Sequence, residues 1–267
     1  MPEGHTIHRL AKAHTRAFGG AALEVSSPQG RFEDGAALIS GRVLRKVEPY
    51  GKHLLYRFDG LPERLHVHLG LYGKFTEGPL PPPVAEGALR LRLVGAESYA
   101  DLRGPAACEL MLPGEVTALL ARLGPDPLRL RADPQAAWLR LSRSRTAIGA
   151  LVMDQTVIAG VGNVYRAEVL YRAGLSPFRM GRDVNRAQFA GLWADLVALM
   201  RAGVREGRIV TTLPQDRPPG RRRRPTREDS HYVYRRTGLP CRRCGTPIRT
   251  ELMVARNLYW CPRCQAD

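Results

Sequence analysis

Short runs in which apolar and polar residues alternate characterise the first half of this chain. The clearest run is 89–93, Leu-Arg-Leu-Arg-Leu, and similar runs cover 43–47, 53–58 and 65–69. An apolar period of two predicts strands with one buried face. Residues 22 to about 112 are therefore expected to form an antiparallel β-sandwich or barrel.

Helical spacing is found before and after these strands. Near the start of the chain, the apolar positions that share one helical face are Ile7, Leu10, Ala11 and Phe18. Gly19-Gly20 is expected to end this helix. The second half of the chain has helical spacing at several places, and Asn185 with Gln188 matches a capping box. Helices are expected at 116–123, around 147–155, at 164–173 and, for a long one, after Asn185.

The change from strands to helices suggests how the chain divides into domains. The turn residues 124–127, Gly-Pro-Asp-Pro, mark an expected interdomain linker, and the Arg- and Pro-rich segment 216–230 is expected to be a mobile loop. We expect a sandwich domain at 1–122, a helical domain at 123–230 and a small C-terminal domain at 231–267. The fold class is α+β, because a sheet domain is followed by a helical one.

Four cysteines near the C-terminus form two Cys-x-x-Cys pairs, Cys241 with Cys244 and Cys261 with Cys264. Four thiolates at this spacing predict one structural zinc ion in a closed tetrahedral shell, with a β-hairpin between the pairs. Disulfide pairing is the alternative, and it is disfavoured because nothing in the sequence indicates secretion. The hairpin carries arginines, among them Arg256, beside aromatic residues, which is typical of a nucleic-acid contact.

The chain is strongly basic, with a formal net charge of +16 and a pI near 10.4. Residues 201–267 hold 16 arginines against six acidic residues. This excess predicts a polyanionic partner whose binding weakens as the salt concentration rises. An anionic membrane is the rival partner, but no segment reaches eighteen consecutive apolar residues and no signal peptide opens the chain. We therefore expect a cytoplasmic protein that binds nucleic acid.

Three positions are candidates for chemistry. Only four of the 41 basic residues are lysines, and Lys52 is one of them. The pKa of a lysine can be shifted by its surroundings so that it gives up a proton, whereas an arginine stays protonated; the alternative is a surface lysine at a strand end. The turn 158–163 ends on Asn163, which is expected to cap the next helix beside a phosphate site, unless this is an ordinary helix–helix turn. Removal of Met1 would expose Pro2, whose α-amine, with a pKa near about 8 against about 10.4 for lysine, is the better nucleophile at neutral pH.

Five motifs occur in register along the chain. They are Met-Pro-Glu-Gly at 1–4, Tyr-Gly-Lys-His at 50–53, Asp-Gln at 154–155 with Ile-Ala-Gly-Val-Gly-Asn-Val-Tyr at 158–165, Tyr-Arg-Arg-Thr-Gly at 234–238, and Trp-Cys-Pro-Arg-Cys-Gln at 260–265. In order and spacing they resemble the formamidopyrimidine-DNA glycosylase and endonuclease VIII family. The resemblance implies an N-terminal β-sandwich with an N-terminal helix, a helix-two-turns-helix domain and a zinc-ribbon hairpin, with damaged DNA in the cleft between the halves.

The same resemblance implies a bifunctional DNA glycosylase and abasic-site lyase of base excision repair. In such an enzyme Pro2 would attack the sugar C1′ and form an iminium, and Glu3 would handle protons at the sugar. Lys52 would bind the phosphate flanking the lesion. Asn163 and Arg256 would hold backbone phosphates at the target nucleotide. No small-molecule cofactor is implied, and a monomer is expected.

The resemblance is closer to the endonuclease VIII branch. Leu71-Tyr72 matches its wedge, which would fill the space left by an extruded base. Thr6 replaces a second acid, Gly70 stands where glutamine is commoner, and 102–105 lacks the Arg-Arg-Phe pattern of the formamidopyrimidine branch. We therefore expect removal of oxidised pyrimidines followed by β,δ-elimination. The alternatives are a purine-directed glycosylase and a non-catalytic DNA-binding zinc protein on the same scaffold.

Overall fold

Residues 2–220 and 225–266 are described by the computed structural model, and the chain separates into two units, Met1–Arg122 and Leu123–Asp267. The first unit holds two sheets, and the second holds helices and a hairpin with four clustered cysteines. The predicted α+β class is therefore confirmed. The arginine run 221–224, inside the predicted mobile loop, lies outside the described residues, as does Met1.

Helices begin and end the first unit. They are α1 (Gly4–Phe18), α2 (Glu33–Ile39) and α3 (Pro113–Arg122). The strands are β1 (Glu24–Ser26), β2 (Leu44–Tyr50), β3 (His53–Phe58), β4 (Arg64–His68), β5 (Lys74–Pro79), β6 (Leu89–Val94), β7 (Ser98–Arg103) and β8 (Ala107–Met111). The runs of alternating residues thus form strands as predicted, whereas helix α2 is not among the predicted elements.

The strands form two antiparallel four-stranded sheets, in the orders β2-β3-β4-β8 and β1-β6-β7-β5. Alternate residues of one strand face the interior, as Leu54, Tyr56 and Phe58 of β3 do. They share one apolar core with Leu91 of the other sheet and with Ile7 of α1. Two sheets that enclose a common core make a sandwich, so the sandwich rather than the barrel is the observed form.

Helix α1 runs antiparallel to β2. Just past the helix, Gly20 donates its N–H to the carbonyl oxygen of Leu44 at 2.8 Å, at the start of the strand. One turn earlier in the helix, the Thr15 hydroxyl accepts a hydrogen bond from the N–H of Val47 at 3.1 Å. Moving back along α1 is therefore moving forward along β2. The first residues of α1 and the turn after β2 consequently lie toward the same end of the sheet.

The second unit is mainly helical. Its helices are α4 (Pro134–Leu141), α5 (Ile148–Leu151), α6 (Asn163–Arg172) and α7 (Arg186–Glu206), and its strands β9 (Arg249–Met253) and β10 (Arg256–Trp260) form the C-terminal hairpin. The capping box predicted for α7 is confirmed, with Asn185 and Gln188 each bonding the other's backbone at 2.9 Å. The helix expected at 147–155 is a single turn, followed by bends.

One expectation about loops needs correction. The expected linker 124–127 follows the boundary between the units, and its Gly124 is buried and donates its N–H to the carbonyl oxygen of Gln155 at 2.8 Å. The mobile loop expected at 216–230 is wrong for its last residues. Ser230 is buried and its carbonyl oxygen accepts the N–H of Thr211 at 2.8 Å. Paired backbone groups hold both segments against the helical core.

Candidate active site and nucleic-acid interface

Several turns of the first unit lie toward one end of its β2-β3-β4-β8 sheet. The turn 51–52 joins β2 to β3, and the cross-strand pair His53 and His68 brings the end of β4 beside it. The turn 70–73 follows β4, and 104–106 precedes β8, whose first residue pairs with His68. Because α1 is antiparallel to β2, residues 2–3 also lie toward this end. We call these four segments the catalytic end.

Glu3 is the N-cap residue that directly precedes α1, and it is completely buried. Its backbone carbonyl oxygen accepts the N–H groups of Thr6 at 2.9 Å and Ile7 at 3.4 Å, so the first helical turn is closed by the main chain. The carboxyl group does not cap the helix. It stands at the positive end of the helix dipole, which favours a negative charge there. Pro2, directly before it, is half-buried.

Thr6 occupies the position at which a second acid was expected from the resemblance. Its hydroxyl lies 3.2 Å from Nε2 of His5. Burial, with a contribution from Arg9, lowers the pKa of His5 to about 4, so this ring is neutral at physiological pH. The first turn of α1 thus carries a neutral imidazole and a hydroxyl where a second carboxylate would add charge.

Lys52 is half-buried in the two-residue turn between β2 and β3. Gly51 takes the left-handed conformation there, with φ of 54°, which glycine adopts at little cost. The positive charge of Lys52 contributes to lowering the pKa values of His53 and His68, so the ammonium lies within electrostatic range of both rings. The main cause of both shifts is burial of the imidazoles.

The predicted wedge residues lie at the tip of an exposed turn. Leu71 is 42% exposed and Tyr72 is 86% exposed, which is unusual for large apolar side chains. Gly70 before them has φ of 66°, and a Cβ atom at this position would lie 2.8 Å from the Cβ of Ala106. The positive φ and the close approach of Ala106 both favour glycine at position 70 over a residue with a side chain.

Asn163 does not have the capping role that the sequence suggested. Helix α6 begins at Asn163 itself, and Gly162 is its N-cap, with extended dihedral angles that the capping position requires. The Asn163 side chain instead donates from Nδ2 to the carbonyl oxygen of Asn257 at 3.0 Å. The candidate phosphate ligand is thereby tied to the hairpin of β9 and β10.

Arg166 joins the same two elements and was missed in the sequence. It is fully buried, one turn after Asn163, and its guanidinium donates to the Asn163 side-chain oxygen. It also donates to the carbonyl oxygens of Met253 at 3.3 Å and Asn257 at 3.4 Å. These two carbonyls flank the hairpin turn that carries Arg256. One buried arginine thus connects the start of α6 with both sides of that turn.

The hairpin turn places Arg256 at the first position of β10, paired with Met253. The two turn residues, Val254 and Ala255, each have φ of 53°. A two-residue turn with both residues left-handed is the common hairpin geometry, but it normally uses asparagine or glycine. A β-branched residue in this conformation is strained, and such strain occurs where surrounding structure imposes it. Arg256 itself is half-buried.

The four cysteines fit one tetrahedral zinc ion. Their sulfur atoms all lie within 4.8 Å of one another, with 3.9 Å between Cys241 and Cys264 and 3.5 Å between Cys244 and Cys261. Zinc–sulfur bonds of about 2.3 Å in a tetrahedron require sulfurs about 3.8 Å apart. These distances exclude disulfide bonds among the four cysteines. The expected zinc site is thus confirmed, and it would hold the hairpin rigid.

Glu168 holds the segment that leads into the zinc finger. Its carboxylate is fully buried in α6 and accepts the N–H groups of Tyr232, Val233 and Tyr234, each at 2.8 Å. The Thr211 hydroxyl also donates to it. A carboxylate with several backbone donors is well stabilised, because each bond involves a charge. The segment entering the zinc finger is therefore anchored to α6, as Asn163 and Arg166 anchor the hairpin.

Three family models match the chain. The formamidopyrimidine-DNA glycosylase N-terminal domain matches residues 1–108, the formamidopyrimidine-DNA glycosylase H2TH domain matches 123–215, and the zinc finger found in FPG and IleRS matches 238–266. Endonuclease 8 1 of Mycobacterium tuberculosis is 54% identical over 99% of this chain and 100% of its own length. The chain belongs to the formamidopyrimidine-DNA glycosylase and endonuclease VIII family.

Further relatives are named formamidopyrimidine-DNA glycosylase or Fpg. The formamidopyrimidine-DNA glycosylase of Methylococcus capsulatus is 34% identical, over 99% of this chain and 98% of its own. A solved structure of Lactococcus lactis Fpg (MutM) with a DNA containing N7-benzyl-Fapy-dG has a TM-score of 0.82 at 22% identity, covering 100% of both chains. A complex of Lactococcus lactis Fpg with abasic-site DNA has a TM-score of 0.81 at 22% identity, covering 99% of this chain and 100% of the other. The two structures confirm the predicted fold.

Membership of this family confirms the enzyme class expected from the sequence, a DNA glycosylase with abasic-site lyase activity. The alternative of a non-catalytic zinc protein is set aside. Within residues 2–220 and 225–266, the helices are too short or too polar to cross a membrane.

Proposed function

We propose that this enzyme removes oxidised pyrimidines from damaged DNA and then cleaves the strand, with Pro2 as nucleophile. The observation that carries the proposal is the composition of the catalytic end. The start of α1, with half-buried Pro2 and buried Glu3, lies toward the same end of the sheet as the Lys52 turn and the exposed Leu71-Tyr72 tip. A nucleophile, an acid, a cation and an apolar wedge are the groups that such a reaction uses.

The first step forms a covalent bond between the amine of Pro2 and C1′ of the damaged nucleoside. The bond from C1′ to the base breaks, the base leaves with the bonding electrons, and a proton is transferred to it. Glu3 donates a proton to the sugar ring oxygen as the ring opens, which leaves an iminium between Pro2 and C1′. The secondary amine cannot lose a further proton from nitrogen, so the iminium stays cationic and withdraws electrons from C2′.

Strand cleavage follows from this cation. Removal of a C2′ proton gives an enamine that expels the 3′ phosphate, and a second elimination expels the 5′ phosphate. Water then hydrolyses the remaining iminium and releases Pro2 as the free secondary amine. Lys52 would bind a phosphate next to the lesion, while Asn163 and Arg256 would bind phosphates of the same strand through an amide and a guanidinium. All groups come from one chain, so we propose that a monomer suffices.

The preference for pyrimidines is supported by two features of the catalytic end. The tip presents Leu71-Tyr72 after Gly70, and 102–105 lacks the Arg-Arg-Phe element of the purine-directed branch. The 54% identical relative is also named Endonuclease 8 1. The more distant relatives named formamidopyrimidine-DNA glycosylase keep a purine-directed enzyme as the second candidate.

A single-turnover comparison tests this preference. Matched duplexes with 5-hydroxyuracil, thymine glycol or 8-oxoguanine at one position are each mixed with excess enzyme, and base release and strand cleavage are measured separately. We expect faster release of the two pyrimidines. Faster release of 8-oxoguanine would reject the pyrimidine assignment, whereas base release without strand cleavage would reject the iminium.

A further inference from the structure

A row of histidines on the outer face of the β2-β3-β4-β8 sheet plays no part in the chemistry described above. Residues directly opposite each other in antiparallel strands share a face. The register pairs His53 with His68 and His66 with Glu109, and it places Leu55 of β3 opposite His66. The three histidines and Glu109 therefore lie side by side on one face, next to the turn that carries Lys52.

These side chains form a hydrogen-bonded chain across three strands. Oε1 of Glu109 lies 2.9 Å from Nδ1 of His66, and Nε2 of His66 lies 2.9 Å from Nδ1 of His53. The His53 and His66 ring centres are 5.1 Å apart with planes inclined by only 23°, which fits a hydrogen bond made edge to edge. The ring of His68 lies 4.9 Å from that of His53.

The groups at the two ends of this hydrogen-bonded chain determine the direction in which its hydrogen bonds are donated. The Glu109 side chain is 56% exposed, whereas that of His66 is 6% exposed. An ionised carboxylate only accepts hydrogen bonds, so Nδ1 of His66 must carry a proton. If His66 is neutral, its Nε2 accepts a proton from Nδ1 of His53, and Nε2 of His53 then presents a lone pair. The proton positions of both rings follow from one acceptor at the surface.

Proton uptake by His66 would reverse this arrangement. An imidazolium donates from both nitrogens, so Nδ1 of His53 would become the acceptor and the single proton of the neutral His53 ring would move to Nε2. His53 would change tautomer without becoming charged itself. Burial, together with His66, His68, Arg122 and Lys52, lowers the pKa of His53 to about 3, which agrees with a ring that stays neutral.

We propose that Glu109, His66 and His53 couple proton uptake at the outer face of the sheet to Lys52 and act as positioning residues for it. When Glu109, His66 and His53 are linked with neutral rings, the residue after Lys52 in sequence is an uncharged imidazole whose Nε2 carries a lone pair. After uptake it has an added cation nearby and an N–H in place of that acceptor. Both changes disfavour an ammonium held in place, so the position of Lys52 depends on pH.

Other charged groups near this face do not form part of the chain. Arg122 at the end of α3 acts on His53 through its charge, and His68 is held largely neutral by burial, with a lowered pKa. Farther along the same face, Glu48 of β2 lies 3.2 Å from Arg64 and 3.5 Å from Lys46. These pairs are mutually compensated, so the hydrogen-bonded chain beside the Lys52 turn consists of Glu109, His66 and His53.

The scarcity of lysine makes the coupling directly measurable. The chain has only Lys12, Lys46, Lys52 and Lys74, so protein with isotope-labelled lysine side chains gives four NMR signals. In the full-length zinc-loaded protein, we expect the Lys52 signal to show an inflection between about pH 5 and 8, where imidazoles titrate. Lys12 and Lys74 serve as internal references. A Lys52 signal without this inflection would overturn the proposal.

Variants then identify the group that titrates. His66→Gln should abolish the Lys52 inflection, since an amide cannot take up the proton. Glu109→Gln, at an exposed position that does not endanger folding, should move the inflection to lower pH, because the carboxylate no longer stabilises the imidazolium. Glu24→Gln, which removes an exposed carboxylate of the other sheet, should leave it in place. An inflection that persists in His66→Gln and is unmoved in Glu109→Gln would refute the chain.

The functional consequence rests on the proposed role of Lys52 and is measured separately. The rate of covalent adduct formation on abasic DNA at saturating DNA should fall about tenfold in His66→Gln, less than the loss expected for a reacting acid or base, with unchanged affinity. In the same variant, the rate of adduct formation should also depend less on pH on the acid side of its pH profile. If Lys52→Met were fully active, the role of Lys52 would be wrong while the NMR coupling would stand. If the NMR titration shows no coupling, the present inference is wrong, while the proposed function is unaffected.

Discussion

Replacing Arg166 by methionine tests whether the buried guanidinium positions the DNA-binding groups of the second unit. Methionine has similar length but no donors, so the side-chain oxygen of Asn163 and the carbonyl oxygen of Met253 lose their bonds to Arg166. The carbonyl of Asn257 keeps the bond from Asn163 at 3.0 Å. The change therefore loosens the hairpin turn and the candidate phosphate ligand together.

The expected loss of stability is moderate. Each of these two acceptors loses a hydrogen bond from a charged donor, which costs about 1 to 3 kcal/mol. Removing a buried cation returns part of this, because the guanidinium no longer has to be kept from water. A decrease of about 2 kcal/mol in the free energy of unfolding is expected from urea melts. The zinc content, measured by atomic absorption, should not change, because the described hydrogen bonds of Arg166 go to Asn163, Met253 and Asn257 and not to a cysteine.

The decisive measurement is the single-turnover rate of abasic-site cleavage at saturating DNA. A displacement of about 1 Å in positioning groups costs up to about 100-fold in rate, so we expect a fall of about 10- to 100-fold. Arg172→Met is the matched control. Arg172 lies on the same helix and bonds Asp195 at 2.7 and 2.6 Å, so its loss should lower stability without lowering the saturated rate. A saturated rate within twofold of wild type for Arg166→Met would refute the positioning role.

Three further results are expected. Burial lowers the pKa values of His5 and His53 to about 4 and about 3, so below about pH 6.5 the unfolded chain binds more protons than the folded one. Urea melts should therefore show the free energy of unfolding falling by up to about 1.4 kcal/mol per pH unit for each histidine as the pH falls toward those values. A free energy of unfolding that stays constant from pH 7 to 5 would contradict this. Chelating zinc should weaken DNA binding, and Arg256→Ala should reproduce much of the loss with zinc still bound; full binding by metal-free protein in a titration would reject the role of the hairpin. Tyr72→Ala should slow base release from duplex DNA by about tenfold and from single-stranded DNA much less, since only the duplex must be held open; equal slowing on both would exclude a wedge.

The strands, the long helix and the zinc site could be predicted from sequence because each depends on local pattern. Alternation along 89–93 is a property of one strand, the capping box at Asn185 of one helix end, and the cysteine spacing of one ligand set. Motifs in register then indicated the family. Residues that act within a few positions of each other were therefore found without the fold.

Long-range partners could not be predicted in the same way. Asn163 is an excellent capping residue by type, yet Gly162 takes the cap and the amide bonds a carbonyl in the hairpin, 94 residues away in sequence. Arg166 looks like a surface arginine of a helix until the fold buries it. The chain from Glu109 to His53 depends on strand register, which the positions of single histidines do not reveal.

Borohydride reduction in the presence of abasic-site DNA tests the mechanism most directly. An iminium at Pro2 predicts a covalent protein–DNA adduct, and peptide mapping should place it on the amine of Pro2. Protein that retains Met1, or whose amine is acetylated, should form none and should not cleave the strand, since an amide nitrogen is not a nucleophile. An adduct mapped to one of the four lysines, or efficient strand cleavage by protein with intact Met1, would contradict it.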